Sequence, residues 1–138
     1  MTIEQLAEFD AIINSKLQWD EKNVDQVLRR ILDLKIKVLG KFTQTVDEYK
    51  DLENQRSKLH GERFKWYNES SPRKYDSRKD IDDMINQEVD YFEICRKVNR
   101  SKIVCDHLEK MMKFISDTEW DIRNWLDVKK MLKEYGSF

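Results

Sequence analysis

The stretch VDQVLRRILDLKIKV, residues 24–38, decides the fold of this 138-residue chain. Val24, Ile31 and Val38 stand seven residues apart, with Val27, Leu28 and Leu34 supporting the same side of a helix. The series continues in both directions, with Leu17 before it and Thr45, Leu52, Leu59 and Trp66 after it. Two helical turns nearly match seven residues, so an apolar interval of seven marks a helix that packs along its length. Lys41 and Glu48 break the supporting positions in the second half, where Phe42, Val46 and Tyr49 take over. The stripe therefore drifts around the helix instead of keeping one two-stranded register. Gly40 stands at the drift, a place for a kink or a close backbone approach. A single helix over residues 16–67 is about 78 Å long at 1.5 Å per residue. A compact chain of this size has a radius of gyration of only about 14 Å. Either the helix bends back at Gly40 or other copies of the chain cover its stripe. One glycine is weak support for a hairpin, so a homo-oligomer is expected.

Composition agrees with a helical chain. Charged residues make up 38% of it, above the usual quarter or so. Three glycines and one proline supply few turns. Thr2 caps a first amphipathic helix whose stripe is Ile3, Leu6, Phe9 and Ile13. NSK, residues 14–16, offers a break, with Ser15 and Gln18 spaced as a capping box for the long helix. NESSPRKYDS, residues 68–77, is the clear loop and holds the only proline, Pro72. Ser77 and Asp80 then read as a capping box opening a second long helix. Its apolar positions include Ile81, Met84, Ile85, Phe92, Cys95, Val98, Cys105, Leu108, Met112 and Ile115. SDTE, residues 116–119, reads as a polar break with Thr118 capping a last helix. Ile122, Trp125, Leu126, Leu132 and Tyr135 form the stripe of that helix, and Gly136 ends it. The expected fold is all-α, built of long amphipathic helices with coiled-coil-like packing. Its expected parts are an N-terminal arm with a long helix (1–67), a basic loop (68–76) and a C-terminal helical oligomerisation region (77–138).

Several function classes are excluded. No apolar run approaches the roughly 18 residues that span a bilayer. The N-terminus has no signal-peptide pattern, which predicts a cytoplasmic protein. Cys95 and Cys105 form neither a CxxC nor a zinc spacing and read as buried free thiols. His60 and His107 belong to no metal-binding motif. DIDD, residues 80–83, reads as a solvated helix start, since carboxylates suit a first turn. With no phosphate-cradling glycine loop and no nucleophile elbow, the chain reads as a non-enzyme without metal or cofactor.

The net charge of −1 hides a pattern. Residues 56–79 carry 8 basic and 3 acidic side chains, while the segments before and after are each net acidic. Beyond roughly 8 Å charges are screened in physiological salt, so a local basic patch on an acidic body still attracts a polyanion. Inside this window GERFKWYN, residues 61–68, sets Arg63 and Lys65 among Phe64, Trp66 and Tyr67. Cations suit the last turn of a helix, and the rings continue its packing stripe, so this stretch alone reads as a helix end. Arg73, Lys74, Arg78 and Lys79 resist that reading, because they stand before or within the first turn of the next helix, its positive end. A bound anion accounts for them. Cations that track phosphates beside rings that stack on bases fit single-stranded nucleic acid.

ERFKWYN, a short polar loop with a tyrosine, DIDDMINQEVDY and the closing EWDIRNWLDVKKMLKEYG together resemble the UvsY family of phage recombination mediators. The similarity runs from about residue 16, where KLQW also resembles the family, and is strongest from Arg63 to Gly136. The resemblance implies a helical, non-enzymatic protein assembled as a ring of six or seven subunits in an infected bacterial cell. It implies binding of single-stranded DNA and loading of a RecA-like, UvsX-type recombinase onto DNA covered by the phage single-strand-binding protein. The family carries Lys-x-Arg before its paired aromatics. Arg63 matches the Arg, whereas the Lys position holds Gly61, with Lys58 one turn earlier and Lys65 just after as the possible replacements. The candidate DNA-binding set is therefore Lys58, Arg63, Lys65, Trp66, Tyr67, Arg73, Lys74, Arg78 and Lys79. The alternative is a structural coiled-coil or scaffold protein without a nucleic-acid role, its basic window facing an acidic protein.

Overall fold

The computed structural model describes residues 1–136, and within them the chain forms four α-helices and no strand. These are α1 (Ile3–Leu17), α2 (Val24–Glu69), α3 (Arg78–Asn86) and α4 (Val89–Tyr135). The chain divides into two compact units. One comprises Met1–Thr43 and the chain from Val104 onward, and the other comprises Gln44–Ile103.

The first unit holds the larger core. Leu6, Ile13 and Leu17 of α1 meet Ile31, Leu34 and Val38 of α2 and Val104, Leu108, Met111 and Ile115 of α4. Each large side chain taken fully out of water contributes about 1.5–3 kcal/mol. A second cluster joins Val24, Val27 and Ile122, with Trp19 edge-on to Trp125 at 5.8 Å between ring centroids. The sequence starts α1 well: the Thr2 hydroxyl accepts from the Gln5 backbone N–H, and Gln5 Oε1 accepts from the Thr2 N–H. Polar contacts tie the elements together at their rims, with His107 Nε2 3.2 Å from Asp10 Oδ1 and Lys35 Nζ 3.3 Å from Glu119 Oε2.

The seven-residue series describes this unit well and fades beyond it. Leu17, Val24, Ile31, Val38 and Thr45 are buried, Leu52 and Leu59 are half-buried, and Trp66 is exposed.

Four sequence expectations are corrected. Ser15 and Gln18 form no capping box for the long helix, because α1 runs through Leu17, Gln18 is its C-cap, and the break lies at residues 18–23. There Asp20 Oδ1 accepts from the backbones of Lys22 and Asn23, while Asn23 Oδ1 accepts from the Asp20 backbone. This reciprocal Asp–Asn turn closes the link before α2. Gly40 marks no close approach, since a Cβ there meets nothing within 4 Å, and α2 continues through it without a hairpin. The stripe at Ile31, Leu34 and Val38 is covered by α1 and α4 of the same chain and not by other copies. The helix opened by Ser77 is short. Ser77 Oγ does accept from the Asp80 N–H, but α3 has 9 residues and stops at Asn86, and α4 begins anew at Val89. Finally, SDTE is no break. α4 passes through it, and the buried Thr118 hydroxyl donates to the Phe114 carbonyl one turn back. Cys105 is buried as expected, whereas Cys95 is only partly so. Along the end of α4, Leu132 and Tyr135 are exposed and do not join the core.

The second unit is smaller and more polar. Ile81 and Ile85 of α3 and Val98 of α4 are its buried aliphatics, and the α2 side chains of this unit are at most half-buried apart from Thr45. Its remaining ties are hydrogen bonds, ion pairs and ring contacts around the candidate site. Among the described residues no helix is long and apolar enough to cross a membrane.

Candidate nucleic-acid interface

All nine candidate residues lie in the second unit, and helix geometry sorts them. Positions three, four and seven apart share a helical face. On α2, His60, Arg63, Phe64 and Tyr67 form the half-buried face, while Lys58, Gly61 and Lys65 form an exposed one. The structure thus does not gather Lys58 and Lys65 with Arg63. It sets the two lysines on either side of Gly61, the position where the family pattern has its lysine, and a Cβ at Gly61 meets nothing within 4 Å.

Arg63 and Tyr67 converge on one carboxylate. Tyr67 Oη donates to Glu88 Oε1 at 2.8 Å, and Arg63 Nε lies 3.2 Å from Glu88 Oε2. The second contact is a charge pair without hydrogen-bond alignment, since both atoms are covered and neither finds a hydrogen-bond partner. Arg63 Nη2 also faces Asp90 Oδ2 at 3.7 Å. The bond to Glu88 raises the Tyr67 pKa above its usual 10.0, with burial and the Glu88 charge adding to it. One helical turn back on this face, His60 Nε2 lies 2.9 Å from Asp82 Oδ1 and its ring stacks near Phe64. Its other neighbour is Tyr91, whose pKa is raised by burial and then by Cys95.

The aromatic side chains form a chain of edge contacts. Trp66 meets Tyr67 at 4.9 Å between centroids, and Tyr67 meets Tyr75 at 5.6 Å. Trp66 is the outermost of the three, 47% exposed, so it presents ring area to solvent.

Two of the four cations around the α3 N-terminus have a structural partner that the sequence reading missed. The Arg78 guanidinium lies 5.3 Å from the Phe64 ring centroid, and that of Arg73 lies 5.5 Å from Tyr75. Cation–π contacts of this kind stabilise by roughly 0.5–1 kcal/mol at exposed sites. A stability argument therefore does exist for Arg73 and Arg78, contrary to the reading from sequence. Lys74 and Lys79 are exposed. A shallow cavity of about 290 Å³ lies at Lys74, lined also by Arg73, Tyr75, Asp76, Asp80 and Asp83. Asp80 and Asp83 lie just past the basic window in sequence and return beside it in space, so the field there is mixed.

Glu88 and Asp90 are the residues that sequence reasoning missed. They follow Arg63 by more than twenty positions, and no local pattern links them to it. No group of three or more His, Cys, Asp or Glu side chains among the described residues is placed to hold a metal ion.

No family model matches this sequence, and no curated protein matches it. Solved structures do match its fold. A crystal structure of the bacteriophage T4 recombination mediator protein UvsY superposes with a TM-score of 0.81 at 18% identity, covering 99% of both chains. A second crystal form of the same protein gives a TM-score of 0.79 at 17% identity over 95% of this chain and 98% of that one. From end to end, the fold of this chain is that of the recombination mediator protein UvsY.

Proposed function

We propose that this chain is a non-enzymatic recombination mediator. It binds single-stranded DNA and helps load a RecA-like, UvsX-type recombinase onto DNA covered by a phage single-strand-binding protein, in the cytoplasm of an infected bacterium. The observation that carries the reading is the half-exposed Trp66 ring set in the one basic window of an otherwise acidic chain. The likeness to UvsY across the whole chain supports it. Lys58, Lys65, Lys74 and Lys79 contact phosphates directly, and Trp66 stacks on a base. Arg73 and Arg78 add charge while braced on Tyr75 and Phe64. Arg63 contributes its outer edge, and Tyr67 supports the rings. One such window is a weak site. A homo-oligomeric ring of six or seven subunits aligns several copies along one strand, and the gain comes from effective concentration, not from stronger single contacts. Wrapping the strand displaces the protein that covered it and presents DNA to the recombinase.

Fluorescence anisotropy of a labelled oligonucleotide, titrated at several salt concentrations, tests this. With about three to five phosphates contacted per subunit, log K falls against log salt with a slope of roughly −2 to −3.5 per subunit engaged. A flat response, or no binding, overturns the proposal and leaves the scaffold alternative.

A further inference from the structure

We infer that the Arg63 guanidinium is a gated phosphate contact, with Asp90 as the internal competitor that a bound strand displaces. The inference rests on the single-stranded DNA reading above. It begins from the two unlike edges of Arg63. The inner edge is fixed: Nε is covered, lies 3.2 Å from Glu88 Oε2, and is out of reach of any solute. Glu88 is itself held by the Tyr67 hydroxyl at 2.8 Å, and its side chain is only 23% exposed. The outer edge is loose: Nη2 stands 3.7 Å from Asp90 Oδ2, and the Asp90 side chain is 76% exposed.

A pair so long and so wet holds weakly. A phosphodiester oxygen is a better partner, because the guanidinium fork matches phosphate geometry and the new bond is charge-assisted. Releasing Asp90 costs little for a second reason. It sits in the first turn of α4, where the helix dipole stabilises a carboxylate whether or not Arg63 is near. Glu88 therefore aims the guanidinium and stays in place, while Asp90 occupies the outer edge until a phosphate takes it. An empty site is thereby kept from attracting adventitious anions at full strength.

A double-mutant cycle on the full chain, read by oligonucleotide anisotropy, tests the inference. Asp90→Asn keeps a residue suited to a helix start and removes the competing charge. It is expected to tighten binding about two- to fivefold, the range of a surface ion pair. The salt slope is expected to steepen by up to about 0.9, because a phosphate now meets an uncompensated cation. In an Arg63→Gln background the same substitution is expected to leave affinity unchanged. Asp90→Ser repeats the measurement with different chemistry, and circular dichroism verifies folding of each variant. Equal tightening in both backgrounds assigns the effect to the overall field and overturns the gate. No tightening with Arg63 present overturns it as well. Failure of the wild-type chain to bind any oligonucleotide is a distinct result: it removes the DNA reading, and the gate with it.

Discussion

Gly61 is where one residue carries most information. It lies in the interior of α2, with negative φ, and open space surrounds the place its Cβ would take. Nothing in the fold therefore requires glycine. Glycine in a helix interior costs about 1 kcal/mol relative to good helix formers, so Gly61→Lys is expected to stabilise the chain by roughly 0.5–1 kcal/mol in denaturant unfolding. The new lysine would join Lys58 and Lys65 on one exposed face, and oligonucleotide affinity is expected to rise with a steeper salt slope. A stabilised variant with unchanged affinity would separate that face from the DNA path. Tyr67 gives a second test at this scale. Its folded pKa lies above 10.0, so the folded chain holds the phenolic proton more tightly than the unfolded chain does. That stabilisation is fully present below pH 10 and is lost as pH rises through the folded pKa. Tyr67→Phe leaves Glu88 without its donor and is expected to cost about 1–2 kcal/mol at neutral pH. It is also expected to flatten part of the alkaline loss measured by unfolding between pH 9 and pH 11. Tyr91, raised by burial, accounts for a remaining slope.

At the scale of elements, periodic burial was legible in the sequence and polar punctuation was not. The apolar interval marked α2 correctly through Val38, because packing against α1 and α4 decides those positions. Thr2 and Ser77 were readable as caps, since each bonds an N–H only three residues away. Thr118 looked the same in sequence, yet its hydroxyl back-bonds to Phe114 inside α4. Neighbouring Glu119 lies 3.3 Å from Lys35 of α2, so polar residues there form a solvated and paired face, not a helix end. The opposite error occurred at Gln87 and Glu88, where α3 stops without glycine or proline. That stop is a tertiary choice: Ile81 and Ile85 are buried, and Glu88 turns its carboxylate to Arg63 and Tyr67. Contacts that reach across the sequence leave no local trace, which is why the basic window was visible and its acidic partners were not. Glu119→Pro decides the continuity of α4. Proline is accepted at the first position after a cap, so a helix starting at Thr118 would tolerate it. Within a continuous helix it removes a hydrogen bond and clashes with the preceding turn, at about 3 kcal/mol or more. A large fall in stability, measured by chemical denaturation, is the expected outcome.

At the scale of the whole molecule, exposed apolar side chains bear on assembly. Leu32, Ile36 and Leu39 occupy one face of α2 at intervals of four and three, and all three are exposed. Val128, Met131, Leu132 and Tyr135 repeat the pattern near the end of α4 and are exposed as well. Single exposed leucines are ordinary, but aligned rows on a helix mark surfaces that meet another protein. For one gene product the default partner is another copy in a closed, symmetric arrangement. The proposed mediator needs that arrangement, because its per-subunit site is a few screened cations and one ring. Static light scattering is therefore expected to give a multiple of the chain mass. Replacing Met131 and Leu132 together by Glu puts two charges in the α4 row without touching a buried side chain. This pair is expected to lower the measured mass and leave helicity unchanged by circular dichroism. Its effect on DNA then separates avidity from intrinsic affinity. If assembly multiplies weak contacts, dissociation weakens binding by at least about 100-fold, the lower end of linked-site gains. The salt slope per bound subunit keeps its value, since residues 58–79 are unaltered. A dissociated variant that binds as tightly as the parent would place the affinity within one subunit and remove the need for a ring.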